Sequence, residues 1–385
     1  MTRAERRRAD RIVVGGGVMG LAAAAELGRR GASVLLLERF EPHHERGASH
    51  GATRNFNNAY AEADYLDLFA EARGLWRRLE AETGRALLDL GGLVTHGPDE
   101  TVSAIHAALR ARDARVELVS AVEAGRRWPG MRFAGDALVG LDAGVVRAAE
   151  ALDTLSEAAV AHGAELRFGH RVVGIDAASD ERVAVTVETG SGRRILAEAA
   201  GVVVAAGAWS APLLGGAGCD GLVRLPELTV TEEHPAHFRA RDAGLPWPSF
   251  NHIAHDAELE LRGGHIYGME TPGEGVKVGF HAVGETVDPD RRPFGATAAK
   301  RRQLRAYVAE WFPGLDPDSA AEISCTYTST ASGDFVLDRV GPVTVGTGFS
   351  GHGFKFAPAV GRILADASLG LDAPPGRFRL AAHGR

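Results

Sequence analysis

Gly15-Gly-Gly-Val-Met-Gly20 has the G-x-G-x-x-G spacing that lets a backbone approach a phosphate closely. Glycines at 15, 17 and 20 permit a tight turn, and the amides of a helix starting there can receive a pyrophosphate. Glu38 follows Gly20 by 18 residues, where a carboxylate can accept hydrogen bonds from a ribose diol. The elements that must position these groups are legible around them. Ile12–Val14 reads as a short buried strand, Leu21–Arg30 as an alanine-rich helix closed by Gly31, and Ser33–Leu37 as a second strand. The unit is β-α-β and suits a dinucleotide. The spacing does not separate NAD from FAD, but the long polar segment Glu41–Arg54 suits a loop wrapped around an extended dinucleotide.

Composition bounds the rest. A chain of 385 residues exceeds one ordinary domain, so two are expected. Hydrophobic residues at 45% and charged residues at 24% exclude a disordered, collagenous or membrane-bundle protein. A net charge of -7 gives no reason to expect a nucleic-acid partner. Cys219 and Cys325 make neither a disulfide framework nor a metal-site spacing, so no metal is expected. A basic start followed by apolar Ile12–Ala25 has the composition of a leader peptide, yet the glycines explain it better as a nucleotide turn. No later run reaches the ~20 apolar residues of a membrane span. The expectation is a cytoplasmic protein without a membrane partner. Among 43 Lys+Arg, only Lys277, Lys300 and Lys355 are lysines. Where arginine serves for ordinary charge, a retained lysine marks a job for a compact, tunable cation.

Along the chain, Ala61–Thr83 is helical with Trp76 on its apolar face, and Ala149–Gly163 is a second helix. Strands follow at Glu165–Phe168 and Val172–Asp176, then a hairpin of Arg182–Val187 and Arg194–Ala197. Gly201–Ser210 is a buried strand meeting a glycine turn, so the nucleotide domain resumes there. From 221 to 324 the texture changes to strands at Leu222–Leu225, Thr229–Glu232, His265–Met269 and Val276–His281, with a helix over Arg301–Trp311. Pro342–Gly348 and a helix over Ala357–Leu369 return to the first texture. The expected fold is α/β. A discontinuous Rossmann-like dinucleotide domain takes residues 1–90, 146–220 and 325–385. A substrate domain on a mixed, largely antiparallel sheet takes 91–145 and 221–324.

Five segments resemble, in order and approximate spacing, the monomeric sarcosine oxidase and N-methyltryptophan oxidase family of flavoprotein amine oxidases. They are Gly15–Gly20 with Glu38, His44–Tyr60, Gly201–Ser210, Lys277–His281 with Cys325–Thr328, and Gly348–Phe356. Gly-Phe-Ser-Gly-His-Gly-Phe-Lys at 348–355 is the most specific of them. The resemblance implies FAD, joined by a thioether to Cys325, with Lys277 activating dioxygen and Lys355 binding a substrate carboxylate. It places Tyr60, Tyr267 and Tyr327 around the substrate or flavin, His281 beside the substrate amine, and His50 and Arg54 near the flavin. It also assigns the cofactor Gly15, Gly17, Met19, Gly20, Glu38, Arg39, Ser49, Val172, Gly207, Trp209, Gly351, Gly353 and Phe354. Cys219 matches nothing in the family.

One departure matters. Where the family reads Thr-Arg-x-x-Arg-His-Ala-Tyr, this chain has Thr-Arg54-Asn-Phe-Asn57-Asn58-Ala-Tyr60. The arginine that would help Lys355 clamp a carboxylate is Asn57. A charge-assisted bond of that kind contributes about 1.5–3 kcal/mol. The implied activity is oxidation of the C–N bond of a secondary or cyclic amino acid, with dioxygen reduced to hydrogen peroxide. The alternative is a flavin dehydrogenase or oxidase that forms a C=N bond on a specialised biosynthetic amine. Either way the partners are a small amine or amino acid and dioxygen, and the family implies a monomer.

Overall fold

The computed structural model describes residues 6–179, 182–216, 221–253 and 265–384. Cys219 lies outside them. The chain forms two compact units: Met1–His50, Ala149–Val230 and Thr326–Arg385 make the first, Gly51–Ala148 and Thr231–Cys325 the second.

The first unit is built on a six-stranded sheet. Its order is Glu165–Arg167, Val34–Leu37, Arg11–Val14, Gly201–Val204, Val343–Thr347 and Val336–Val340, parallel except for the last pair. The central strands are short, continuous apolar runs, as a parallel sheet covered on both faces requires. The Val18–Arg29 helix packs against the Ala357–Leu369 helix closely enough that a Cβ at Gly361 would lie 2.6 Å from the Ala22 backbone. A second sheet pairs His170–Ser179, Arg182–Thr189 and Arg194–Ala199 antiparallel. Val183, Val185 and Val187 alternate inward to share a core with Ile12, Leu35 and Val202. Within the basic start, Arg6–Arg8 joins this sheet as a strand parallel to Leu196–Glu198.

The second unit holds an eight-stranded sheet. Its order is Ala321–Glu322, Ala236–Phe238, Gly275–His281, His265–Thr271, Ser249–Ile253, Leu93–His96, Ala137–Gly140 and Val116–Val119. Only Ser249–Ile253 and Leu93–His96 run parallel. The Ala298–Trp311 helix packs Leu304, Tyr307 and Val308 onto Val276, Val278 and Phe280 of that sheet. Trp76 of the Ala63–Thr83 helix is fully buried.

The boundaries differ from the sequence expectation, by a few residues at 146–148 and at Cys325 and by more at two places. Residues 51–90 group with the second unit, because Thr53–Phe56 and Leu88–Asp89 both pair with Gly144–Arg147. Leu222–Leu225 is not a strand and belongs with the first unit. Val223 is buried there by packing, with Leu222 and Leu225 against the same core, and Pro226 contributes no ladder donor.

Candidate functional site

In the first unit, Arg11–Val14 runs into Gly15, whose φ of +107° and closeness to the Ala205 carbonyl exclude any side chain. A Cβ at Gly20 would collide with the Gly15 carbonyl oxygen. Gly17 caps the Val18–Arg29 helix with extended backbone, and the first turn, where Met19 is buried, contains no acidic residue. Ser49 Oγ accepts the Val18 amide at 3.1 Å. A helix start with no carboxylate in it is a place for an anion. Glu38 is 7% exposed at the end of Val34–Leu37; its Oε2 accepts the Gly16 amide at 2.6 Å and its Oε1 the Phe40 amide at 2.8 Å. The acid therefore also holds the glycine turn in shape.

Other groups flank this cradle. The Arg39 guanidinium lies 4.9 Å from the Phe40 ring centre and 5.6 Å from that of Trp209. Trp209 closes the turn Gly207–Trp209, where Gly207 has φ +54°. Val172 packs at the edge of the core, and His50 is half-buried beyond the polar loop. Phe40, His44, Arg46 and Arg171 line a cleft of about 520 Å³.

The Gly348–Phe356 segment also belongs to this unit. Gly351 has φ +77° and lies directly under the Tyr327 ring, where a Cβ would clash. A Cβ at Gly353 would meet the Phe349 side chain, its Cβ at 2.7 Å and its ring at 2.9 Å. Phe354 and Lys355 form a single 3-10 turn before the Ala357–Leu369 helix. Lys355 is buried; its Nζ donates to the His352 carbonyl at 2.7 Å and sits 4.7 Å from the Phe356 ring centre. Burial pulls its pKa down to about 7.

In the second unit, strand alternation does the positioning. Val276, Val278 and Phe280 face the core, so Lys277, Gly279 and His281 share the opposite face. The register sets Lys277 across from Met269 and His237, Gly279 across from Tyr267, and His281 across from His265. Gly279 leaves room for the Tyr267 ring, which a Cβ would approach to 3.1 Å. Lys277, Tyr267 and His281 are therefore neighbours on one sheet face. Lys277 is 4% exposed, and its Nζ donates to the Thr53 carbonyl at 3.2 Å. Arg54 Nη1 donates to the same carbonyl at 2.8 Å. Burial first, then the Arg54 charge, lowers the Lys277 pKa to about 7, while Cys325 and Glu274 oppose the shift.

A family model for the FAD dependent oxidoreductases matches residues 10–367. The chain belongs to that family. It is 31% identical to the monomeric sarcosine oxidase of Bacillus sp. (strain B-0618), over 94% of this chain and 92% of that one. It is 34% identical to the peroxisomal sarcosine oxidase of Homo sapiens, over 94% and 92% of the two chains. Among solved structures, the Tyr258Phe mutant of NikD, an unusual amino acid oxidase essential for nikkomycin biosynthesis, superposes with a TM-score of 0.83. That match has 28% identity and covers 97% of both chains.

This oxidoreductase is a flavoprotein, and its residues fit FAD: the glycine turn leaves no room for side chains, and the helix start suits a pyrophosphate. Cys325 opens the strand Cys325–Ser329 as a half-buried thiol outside any disulfide. Asn57 turns the chain after Thr53–Phe56, its Oδ1 accepting the Ala59 amide at 2.7 Å. Tyr60 stacks on Tyr65 at 5.0 Å, and burial raises its pKa well above the ordinary value. Arg54 and Cys325 thus join the Lys277 group, while Asn57 and Tyr60 belong to the turn beyond it. Sequence reasoning missed Thr53, Thr271, His237 and Glu274, which surround Lys277. No motif marks them, and only the pairing of Ala236–Phe238 with Gly275–His281 brings His237 there. Among the described residues no cluster could hold a metal and no helix is long and apolar enough to cross a membrane.

Proposed function

We propose that this flavoenzyme oxidises the C–N bond of a secondary or cyclic amino acid, yielding an imine and hydrogen peroxide. The observation that supports it most is the buried Lys277 on one sheet face with Tyr267 and His281, in a chain with only three lysines. Bound FAD supplies the two-electron acceptor for the amine and the donor to dioxygen. The balance closes without another reagent: the amine loses two electrons and two protons, and dioxygen gains them as hydrogen peroxide.

Each residue then has a bounded task. Lys355 binds the substrate carboxylate, and the Ala357–Leu369 helix start beside it adds a favourable field for negative charge. Tyr267 and His281 orient the amine as its free base, with Tyr327 completing the substrate surroundings. Lys277 offers a localised ammonium to the negative charge that grows on dioxygen as it accepts the first electron. Cys325 holds the flavin covalently. The protein acts as a cytoplasmic monomer.

Asn57 favours a second reading, because it leaves Lys355 without the family's arginine. With the likeness to NikD, it supports a specialised biosynthetic amine as substrate. Anaerobic bleaching of the flavin band tests both, using sarcosine, proline, pipecolate, N-methyltryptophan and a matched amine without the carboxylate. Bleaching by an amino acid and not by its carboxylate-free partner supports the first reading. Bleaching by the carboxylate-free amine alone overturns the clamp, and no bleaching by any member moves the assignment to the biosynthetic substrate.

A further inference from the structure

Behind Lys277 the polar contacts continue in one line. Thr53, whose carbonyl receives the lysine ammonium, places its hydroxyl 2.6 Å from that of Thr271. Thr271 Oγ1 lies 3.2 Å from His237 Nε2, and Nδ1 of the same ring lies 3.2 Å from a Glu274 carboxylate oxygen. Thr53, Thr271 and His237 are buried, whereas the Glu274 side chain is 47% exposed. The line therefore joins a carboxylate at the surface to the residue that anchors a buried cation.

His237 and Lys277 are directly opposed partners on adjacent strands, so two bases stand side by side on one buried face. Both cannot be charged cheaply. The imidazole starts from the lower intrinsic pKa, and burial, then the Lys277 charge, brings it to about 4. At neutral pH it is uncharged with a single N–H. Directing that N–H to Glu274 leaves Nε2 to accept the Thr271 hydroxyl, which in turn accepts that of Thr53. The titratable and charged groups around Lys277 come from four elements. Arg54 is on Thr53–Phe56, His237 on Ala236–Phe238, Glu274 in the turn before Gly275–His281, and Cys325 at the start of its own strand. Glu274 is the carboxylate among them.

We propose that His237 and Glu274 are positioning residues for Lys277, keeping it the protonated member of this buried group by aligning Thr271 with Thr53 and supplying the counter-charge at the surface end. The assignment rests on the reading of Lys277 as the residue that assists dioxygen. It adds a role for a histidine and a glutamate that need not touch substrate or cofactor.

The three-lysine composition makes a direct test practical. Protein labelled with ¹³Cε-lysine should give three titrating signals, assigned with Lys277→Met and Lys355→Met. Glu274→Gln should lower the Lys277 midpoint by about half a pH unit, the scale of a partly exposed charge contact. His237→Asn, which keeps a donor for Glu274 but cannot reach Thr271, should lower it less. The double variant should shift it by less than the sum, as members of one network do. In the FAD-loaded enzyme, Glu274→Gln should slow reoxidation by dioxygen about threefold above the midpoint, following the lost ammonium fraction, and leave bleaching by substrate unchanged. A Lys277 midpoint that stays within about 0.2 pH units of the wild-type value in Glu274→Gln overturns the proposal. Glu274 is half-exposed, so that variant carries the test even if His237→Asn fails to fold. If Lys277→Met leaves reoxidation unchanged while the midpoint shifts as described, the dioxygen reading fails and the positioning pair stands.

Discussion

Lys277 offers the sharpest test of the oxidase reading, because its charge is set within a narrow pH range. The ordinary lysine pKa of 10.5 falls to about 7 at this buried site. The ammonium fraction is then about one half at pH 7, one tenth at pH 8 and one hundredth at pH 9. If the ammonium is what assists dioxygen, the reoxidation rate constant should fall about tenfold per pH unit above neutrality. Its floor should be the rate of Lys277→Met. An ammonium about 4 Å from a new anion at an effective dielectric near 20 contributes about 4 kcal/mol, so that floor lies up to about three powers of ten below the acid plateau. Lys277→Arg keeps a permanent charge and should lose the pH dependence between pH 6 and 10. The assay is stopped-flow mixing of anaerobically bleached enzyme with dioxygen, and separately of oxidised enzyme with substrate. Equal slowing of both steps in Lys277→Met, or a flat wild-type profile that the variant shares, would refute the reasoning.

Three further outcomes are expected. Lys355→Met should weaken binding of the amino-acid substrate by about tenfold to a hundredfold, from a charge-assisted bond of about 1.5–3 kcal/mol, and change binding of the carboxylate-free amine little; an equal loss for both would remove Lys355 as the clamp. Acid precipitation of the wild type should leave the yellow colour in the pellet, and that of Cys325→Ser should release it to the supernatant; colour retained by the variant would place the covalent link elsewhere. Buried Lys355 titrates near pH 7 when folded and near 10.5 when unfolded, so the unfolded chain binds more protons between those values and stability rises with pH across them. Lys355→Met should therefore raise the thermal midpoint of the flavin-free protein at pH 7, by an amount that shrinks towards pH 10. A difference independent of pH would mean that the lysine is not held depressed in the folded state.

The nucleotide cradle was legible because it is local. Gly15, Gly17, Gly20 and Glu38 are bound to one another by a strand, a turn and a helix within a few dozen residues, and their geometry follows from spacing. The Lys277, Tyr267 and His281 face was half legible. Alternation along Gly275–His281 orients Lys277 and His281 together, and the pairing with His265–Thr271 is a short hairpin. The domain boundary at His50 was not legible, since it depends on Thr53–Phe56 finding Gly144–Arg147 some ninety residues away.

Sequence alone thus determined the dinucleotide unit, the α/β fold and the flavoprotein family, and it singled out the residues proposed for redox-assisting chemistry. Tertiary structure decided what those residues become. Lys277 and Lys355 are ordinary lysines until burial lowers both towards pH 7. His237 and Glu274 belong to no motif; a register between strands separated by some forty residues sets His237 opposite Lys277 and beside Glu274. Side-chain type and local period are written in the chain. Desolvation and non-local pairing exist only once the sheet has formed, and they set the charge on which the proposed dioxygen chemistry depends.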